Sequence, residues 1–390
     1  MKSMNKIGIL TLYKNNKNFG GLLQAYALQK VLADNGIPCE QISYTLSPTP
    51  WKQKLKNSAE QRSLAKNLKM IGQQVLGRLF GATLSRWSRN LCQERFARFA
   101  EFESEIPHSQ DIYTVHSIKN CGSYDAYITG SDQVWNGGID LEAYSLHFVN
   151  GKATCLSYAA SYAGERFSTW QKGVLQESLA KYKAISVREK SLAESLQKIM
   201  RRDVSVVLDP VMLMTSNQWT QVMRSATLHE PFVFCYLLGD SHWHRKFAQK
   251  VAKDCHCQLV TIPYAVNGAF RFSDWRFGDI QDVTSGPREF LWLIRHAQCV
   301  VTDSFHATAF SILFHKSFWA LPRYKAAHKN RRLLDVLQEF GLQNRMVTAD
   351  QWQGKSTEAI DFDGVDRILA NERRRSFDYL KNALEIQNET

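Results

Sequence analysis

The residues best suited to chemistry lie in the stretch VTDSFHATAF, residues 301–310. Asp303, Ser304 and His306 stand between two apolar segments that both have the character of a protein core. An imidazole titrates near neutral pH, so His306 can act as a general acid or base. A histidine bonded to a core carbonyl is the alternative. The acid three residues earlier and the small residues that follow favour a catalytic pair of His306 and Asp303.

Three other polar clusters follow predicted strands in the first half of the chain. They are Asn18, Gly20, Gly21 and Gln24 in NFGGLLQAYALQ, Ser131, Asp132, Gln133, Trp135 and Asn136 in GSDQVWN, and Arg188 in ISVREKS. The glycines let an anion approach helix N–H groups, or they form a tight turn. The second cluster suits sugar or carboxylate recognition, or caps a helix. Arg188 can grip a carboxylate or phosphate, or pair with the neighbouring Glu189.

Cations gather after the histidine stretch as well. Lys316, Arg323, His328, Lys329, Arg331 and Arg332 follow His306 within thirty residues. A loop of this composition can close over an anionic substrate, or it can form a solvated surface.

The elements that position these residues read as alternating strands and helices. In the first half, strands are predicted at residues 6–13, 40–44, 124–129, 153–159, 184–187 and 205–208, and a second set begins at Pro231. Alternation of this kind builds parallel sheets whose strand ends face a ligand crevice. We therefore predict two similar α/β domains, residues 1–208 and 209–363, and a C-terminal helix in 364–390 that packs back on the first domain.

Length and composition agree with a globular two-domain chain. The 390 residues are 44% hydrophobic and 22% charged, without repeats or low-complexity tracts. No apolar run has the length of a signal-peptide core or a membrane span, so we expect a cytoplasmic protein. The eight cysteines are mostly isolated and are expected to be reduced, and the cluster Cys255-His256-Cys257 lacks the second ligand pair of a zinc site.

Most of the net charge of +12 lies in one segment, residues 51–99. Eleven Lys or Arg residues stand there against Glu60 and Glu94, a local balance of +9. The apolar spacing is helical, which fits either a helical insertion with a solvated charged face or a helix on an anionic membrane surface. Nucleic-acid binding is not favoured, because the charges are not interleaved with aromatic residues.

Common catalytic signatures are missing from the sequence: it contains no G-x-G-x-x-G after a strand, no Walker sequence, no H-E-x-x-H and no G-x-S-x-G. Six ordered motifs instead resemble the polysaccharide pyruvyl transferase family, over about residues 7–342. They are NNKNFGGLLQAYALQ, YITGSDQVWN, SYAASYAG, ISVREKS, VVLDPVMLM and GPREFLWLIRHAQCVVTDSFHATAFSILF.

The resemblance implies two Rossmann-like domains facing a cleft, as in GT-B glycosyltransferases, with the acceptor on the N-terminal side and the donor on the C-terminal side. It also implies transfer of pyruvate from phosphoenolpyruvate to two hydroxyls of a sugar as a cyclic ketal, without metal or redox cofactor. The sugar would belong to a bacterial surface polysaccharide or its lipid-linked repeat unit. By this resemblance His306 is the acid/base and Arg188 binds the donor.

Characterised members of the family carry an arginine two positions before the histidine, whereas this chain has Ser304, as another large branch of the family does. We expect Lys316, Arg323 or Arg332 to supply the missing charge beside Ser304. Two other functions remain open from the sequence. One is a glycosyltransferase in which Glu289 contacts the ribose of a nucleotide sugar, and the other is a non-catalytic carbohydrate-binding assembly protein.

Overall fold

The computed structural model describes residues 6–46, 91–136, 139–164, 166–228, 231–266, 269–323, 330–352 and 359–386. The larger part of the basic segment, residues 51–90, lies outside the described residues, as do His328 and Lys329 of the cationic loop. Expectations about those residues stay predictions.

The described strands form two five-stranded sheets, in which every pair of neighbours is parallel. In chain order the strands are β1 Ile7–Leu10, β2 Cys39–Gln41, β3 Ala126–Thr129, β4 Thr154–Ser157, β5 Tyr182–Ala184, β6 Ser186–Val187, β7 Ser205–Val206, β8 Phe232–Tyr236, β9 Gln258–Thr261, β10 Ala265–Val266, β11 Ala269–Phe270, β12 Ile280–Gln281, β13 Cys299–Thr302 and β14 Phe318–Ala320. The first sheet has the order β2-β1-β3-β4-β5 and the second β12-β9-β8-β13-β14. β6 pairs with β7, and β10 with β11, in two small separate sheets.

The α-helices among the described residues connect and cover these sheets. They are α1 Phe19–Asp34, α2 Gln93–Ser104, α3 Leu141–Tyr144, α4 Thr169–Ala180, α5 Lys190–Met200, α6 Pro210–Leu213, α7 Ser216–Val222, α8 His242–Asp254, α9 Pro287–His296, α10 Phe305–Leu313, α11 Arg331–Glu339 and α12 Phe362–Leu384. None of these helices is long and apolar enough to span a membrane. All eight cysteines are free thiols.

The central strands are buried on both faces, which is why their sequences are continuous apolar runs rather than alternating ones. Every residue of IGIL in β1 and CVVT in β13 is buried. Parallel sheets covered by helices on both sides require this composition. The sequence prediction of two α/β halves is therefore confirmed, and most observed strands lie inside the predicted ones.

The two halves share apolar contacts at the start of α1. Phe19 stacks on Phe290 of α9 with ring centroids 4.4 Å apart, and it also contacts Phe99 of α2 and Tyr236 of β8. The α2 helix is tied to the second half by buried Arg95, which donates to the carbonyl oxygens of Pro263 and Asp282. These contacts hold the N-terminal end of α1 against the second sheet.

The C-terminal helix α12 contacts the cores of both halves. Val365 and Leu369 near its start belong to the core that contains the second sheet, whereas Leu380 and Leu384 near its end pack with Ile7 of β1. Leu208 N–H also donates to Ser376 Oγ at 2.9 Å. The helix therefore returns to the N-terminal sheet.

Candidate active site

His306 is placed by the junction between β13 and α10. Ser304 is the N-cap of α10, and its hydroxyl accepts from Ala307 N–H at 3.5 Å, so His306 falls in the first helical turn. Because β13 is an inner strand of a parallel sheet, its carboxyl end opens towards the crevice between the halves. His306 is buried there, with 8% of its surface exposed.

The imidazole of His306 lies directly against Gly20 of the other half. A Cβ atom built on Gly20 would stand 1.9 Å from His306 Nδ1, far inside any permitted contact. Gly20 therefore makes room for the histidine rather than for a turn. Gly21 has a separate function, because a Cβ there would stand 2.4 Å from Nδ2 of Asn16.

The buried Asp209 is the partner of His306. Its Oδ2 lies 3.6 Å from His306 Nε2, accepts from Ser131 Oγ at 3.0 Å and is paired with Arg188 Nη1. Burial alone would raise the pKa of Asp209, but Arg188 and His306 outweigh burial and hold the pKa well below its ordinary value. An ionised carboxylate thus stands beside the ring nitrogen.

Arg188 and Glu189 continue this chain of charges. Arg188 Nε lies 3.4 Å from Glu189 Oε1, which also accepts from Ser161 Oγ at 2.6 Å. The Arg188 guanidinium covers the ring of Phe305 at 4.3 Å. Burial raises the pKa of Glu189, with Arg188 and Ser161 opposing it. Among the described residues, Glu189 Oε2 and Arg188 Nη2 have no hydrogen-bond partner.

Asp303 has a positioning role in place of the predicted catalytic one. Its Oδ1 accepts from Leu238 N–H at 2.6 Å and its Oδ2 from Gly239 N–H at 2.7 Å. Arg323 donates to the Asp303 carbonyl oxygen at 2.9 Å. Since backbone donors occupy both carboxylate oxygens, Asp303 fixes the loop after β8 and orients Arg323.

His306, Asp303 and Arg323 line a cavity of about 90 Å³, here called the inner cavity. It is lined by Asn18, Asp132 and Gln133 from the first half and by Leu238, Asp303, Ser304, Phe305, His306, Arg323, Asn330, Arg332 and Leu333 from the second. The Gln133 amide oxygen, facing Arg332, accepts from its Nη1 at 2.6 Å. Burial and the nearby Arg188 lower the pKa of Arg332 to about 10. Charged groups of both signs surround Arg332, since Glu189 and Asp132 oppose the effect of Arg188.

A second cavity of about 260 Å³, the outer cavity, adjoins the first at Arg332, which lines both. Its apolar wall contains Tyr162 and Phe167, stacked at 4.2 Å, together with Leu192 and Ile199 of α5. Five cations line it: Arg166, Lys172, Lys198, Arg331 and Arg332. Glu189 is the acid in this lining.

Several predicted site residues lie elsewhere. Lys316 precedes β14, at the amino end of a strand parallel to β13, so it stands at the sheet edge opposite the inner cavity. Trp135 is fully buried in the N-terminal core. The Gln24 amide is buried and donates to Thr11 Oγ1 and the Gly21 carbonyl. Lys316 therefore lies away from the predicted donor site, and Trp135 and Gln24 do not line the predicted cleft.

Of the other predicted residues, Asn18 and Asp132 line the inner cavity, whereas Ser131 and Asn136 bond to residues beside the cavities. Asn18 caps α1 and lines the inner cavity with Asp132, which has a positive φ of 75°. Ser131 reaches Asp209, as above. Asn136 Oδ1 accepts from Ala163 N–H at 2.7 Å, joining GSDQVWN to the outer cavity's loop.

Sequence reasoning missed Asp209 and assigned Glu189 only as a neutralising partner. Asp209 lies in LDP, which resembles a domain boundary, and its signal was an acid at the end of a buried strand.

The predicted ribose contact of Glu289 is wrong. Glu289 is buried, accepts from Gly286 N–H at 2.9 Å and pairs with Arg98 at 3.2 Å. Within the described ranges, no cluster of His, Cys, Asp or Glu could hold a metal ion.

Two Rossmann-like domains facing a cleft define a GT-B-like protein. The fold is similar to a candidate UDP-N-acetylglucosamine 2-epimerase from Listeria monocytogenes, with a TM-score of 0.50, 11% identity and coverage of 100% of this chain and 99% of that one. The UDP-GlcNAc 2-epimerase of Methanocaldococcus jannaschii aligns with a TM-score of 0.49, 8% identity and coverage of 94% and 92%. No curated protein matches the sequence.

The chain belongs to the polysaccharide pyruvyl transferase family, whose sequence profile matches residues 18–323. The matched range includes Gly20, the histidine stretch and the cavity-lining residues as far as Arg323, whereas Arg331 and Arg332 follow it. Membership supports a transferase that places pyruvyl groups on polysaccharide.

Proposed function

We propose that the protein transfers pyruvate from phosphoenolpyruvate to two hydroxyls of one sugar, forming a cyclic ketal and releasing phosphate. The sugar is part of a bacterial surface polysaccharide or its lipid-linked repeat unit. The observation that carries this proposal is the inner cavity, which is lined by His306, Arg323 and Arg332. Asp209 lies beside His306 and is itself paired with Arg188.

The reaction has two demands that these residues meet. One acceptor hydroxyl adds to C2 of the enol ester while the methylene carbon gains a proton and becomes a methyl group. The second hydroxyl then displaces phosphate at C2, and its proton leaves with the phosphate or to solvent. The step needs a proton donor and acceptor, and cations for the carboxylate and phosphate.

His306 is the acid/base in this scheme, with Asp209 holding the ring by its negative charge at 3.6 Å. Arg323 and Arg332 line the inner cavity together with Ser304, so in this scheme they bind the donor in place of the family's arginine at position 304. The guanidinium fork matches both a carboxylate and a phosphate. Ser304 fixes the start of α10, so it contributes to placing the histidine.

A nucleotide-sugar glycosyltransferase is the second candidate, favoured by the GT-B-like fold. The buried position of Glu289 removes the acid expected to hold the ribose. The small inner cavity of about 90 Å³ suits a compact donor better than a nucleotide sugar.

The test is to incubate the protein with oligosaccharide or lipid-linked acceptor and either phosphoenolpyruvate or a panel of nucleotide sugars. Released phosphate and acceptor mass are measured together. A gain of pyruvate less water, absent in His306→Ala, supports ketal transfer. A hexose-sized gain selects the glycosyltransferase. No turnover with either donor, by a protein that binds the acceptor, selects a non-catalytic carbohydrate-binding protein.

A further inference from the structure

The outer cavity has an unusual pairing of an aromatic wall with an unbalanced cationic rim. Tyr162 and Phe167 stack with an interplanar angle of 24°, and the Phe167 ring is buried. Among the described residues that line the cavity, five are Lys or Arg and one, Glu189, is an acid. Arg166, Lys172 and Lys198 are exposed, and Arg331 interacts electrostatically with Asp335.

This charge pattern indicates an anionic ligand. Surface cations are ordinarily interspersed with acids, so a cluster without them attracts and orients negative charge. The aromatic and aliphatic wall adds an apolar surface of the kind on which the CH face of a sugar ring lies. Ser191 and Ser195 of α5 also line the cavity and offer hydroxyl groups to the sugar.

The cavity is connected to the proposed reaction centre by specific residues. Arg332 lines both cavities, and Glu189 lines the outer one while its Oε1 contacts Arg188 at 3.4 Å. Arg188 in turn binds Asp209, which stands beside His306. A ligand in the outer cavity therefore has its inner end next to the donor.

We infer that the outer cavity binds the acceptor as a sugar carrying a phosphate or diphosphate, with the anion on the cationic rim and the sugar hydroxyls directed towards Glu189 and Arg332. This inference rests on the proposed function for the identity of the reaction. The relative sizes agree with it, since about 90 Å³ holds the small donor and about 260 Å³ the larger acceptor.

Binding of glucose 1-phosphate and of glucose to the full chain, followed by calorimetry, tests the inference. Glucose 1-phosphate should bind at least about tenfold more tightly than glucose, because charge-assisted contacts to phosphate are the stronger ones. The double variant Lys172→Ala, Lys198→Ala should lose about that factor, and Lys172→Arg, Lys198→Arg should retain it. Lys246→Ala, Lys253→Ala on α8 removes the same charge from the other half and should change nothing.

Equal affinity for glucose and glucose 1-phosphate, or an equal loss in the α8 control, would overturn the inference. Phosphoenolpyruvate binding is measured on the same proteins and should be unchanged in the Lys172, Lys198 double variant. If the protein transfers pyruvate from phosphoenolpyruvate but the phosphate of the sugar does not change its affinity, the inference about the outer cavity fails and the proposed function stands. If the sugar phosphate binds as described but phosphoenolpyruvate never does, the proposed function fails and the cavity assignment stands.

Binding to vesicles distinguishes a lipid-linked sugar from a soluble sugar phosphate as the ligand. Vesicles with and without a polyprenyl diphosphate sugar are compared for protein binding. Extra binding to the loaded vesicles, lost in the Lys172, Lys198 double variant, identifies the lipid-linked sugar. Binding of soluble sugar phosphates without any preference for loaded vesicles identifies a soluble acceptor, and absence of both overturns the inference.

Discussion

Gly20 and His306, from opposite halves of the molecule, are in direct contact: a Cβ atom on Gly20 would stand 1.9 Å from the imidazole Nδ1. The first turn of α1 and the first turn of α10 thus meet in the crevice. The position of the histidine therefore depends on the absence of one side chain on the opposite domain.

Gly20→Ala should displace the imidazole and lower the rate of pyruvyl transfer about a hundredfold, which is the usual cost of misplacing a catalytic group by about 1 Å. Gly173→Ala is the matched control, because a Cβ at Gly173 on α4 meets nothing within 4 Å. Transfer rates and thermal unfolding are measured for both. A Gly20→Ala protein with unimpaired transfer would show that the ring position is not critical.

Arg323→Ala and Arg332→Ala should each weaken phosphoenolpyruvate binding by about 10- to 100-fold, since hydrogen bonds to charged groups contribute about 1.5–3 kcal/mol. Lys316→Ala removes the same charge ten residues from His306 at the opposite sheet edge and should leave the affinity unchanged. The measurement is donor affinity by calorimetry. If neither arginine variant binds more weakly, another group replaces the family's arginine.

Asp209→Asn should lower the free energy of unfolding by about 3–5 kcal/mol near pH 7, because it removes the closer of the two acids paired with the buried Arg188 charge. The lowered pKa of Asp209 means that its contribution is present above the ordinary aspartate pKa of about 3.9 and is lost as the pH falls through the folded-state value. The gap between wild type and variant should therefore narrow below about pH 4.

Denaturant unfolding across pH measures this gap. Asp254→Asn, in an exposed pair with Lys250, should cost less than about 1 kcal/mol at every pH. A pH-independent effect of Asp209→Asn would contradict the assigned ionisation.

Glu339, at the end of α11, should make stability fall with rising pH. Burial and the neighbouring Glu372 raise the pKa of Glu339 to about 7. Stability contributed by its neutral form is full below the ordinary glutamate pKa of about 4.3 and is lost as the pH rises through about 7.

Relative to Glu339→Gln, wild type should lose on the order of 2–3 kcal/mol in free energy of unfolding between about pH 4 and pH 8. Glu142→Gln, at an exposed position, serves as the control. Parallel pH profiles for wild type and Glu339→Gln would show that this carboxyl titrates normally.

The basic segment should bind anionic membranes. Within residues 51–90, nine Lys or Arg stand against Glu60, whereas Arg95 and Arg98 nearby are engaged by the protein's own groups. Each cation near an anionic surface is worth about 1 kcal/mol, so replacing Lys52, Lys54 and Lys56 by Gln should weaken vesicle binding by up to about a hundredfold.

High salt should abolish vesicle binding by the wild type, since the attraction is screened. Replacing Lys246, Lys250 and Lys253 of α8 by Gln supplies a control with equal charge change. No binding by the wild type to anionic vesicles at low salt would exclude the membrane role.

The sequence was sufficient to predict the two-sheet fold and the place of His306 just after a buried strand, because buried parallel strands and the polar residues at their ends have a clear pattern. It was insufficient for partners distant in sequence. Asp209 meets His306 across 97 residues and looked like a linker, and Gly20 was predicted to admit a ligand when it admits an imidazole. Such pairings depend on how the halves dock, which local patterns do not encode.

The predictions for Lys316 and Trp135 fail for physical reasons. Lys316 stands before a strand, and in a parallel sheet the start of a strand and the end of its neighbour lie at opposite edges. The residues around Trp135 in the sequence are polar, which suggested that its ring binds a sugar, yet the ring lies in the N-terminal core. Composition alone does not tell which side of a loop faces inward.

The return of α12 to the first sheet sets an order for biosynthesis. Leu380, Ala383 and Leu384 of α12 pack with Ile7 and Leu28 in one apolar cluster, so residues far apart in the sequence complete the same core. A growing chain cannot cover that face of the N-terminal sheet until α12 has left the ribosome. During translation, apolar surface of the first domain therefore stays uncovered until α12 has been made.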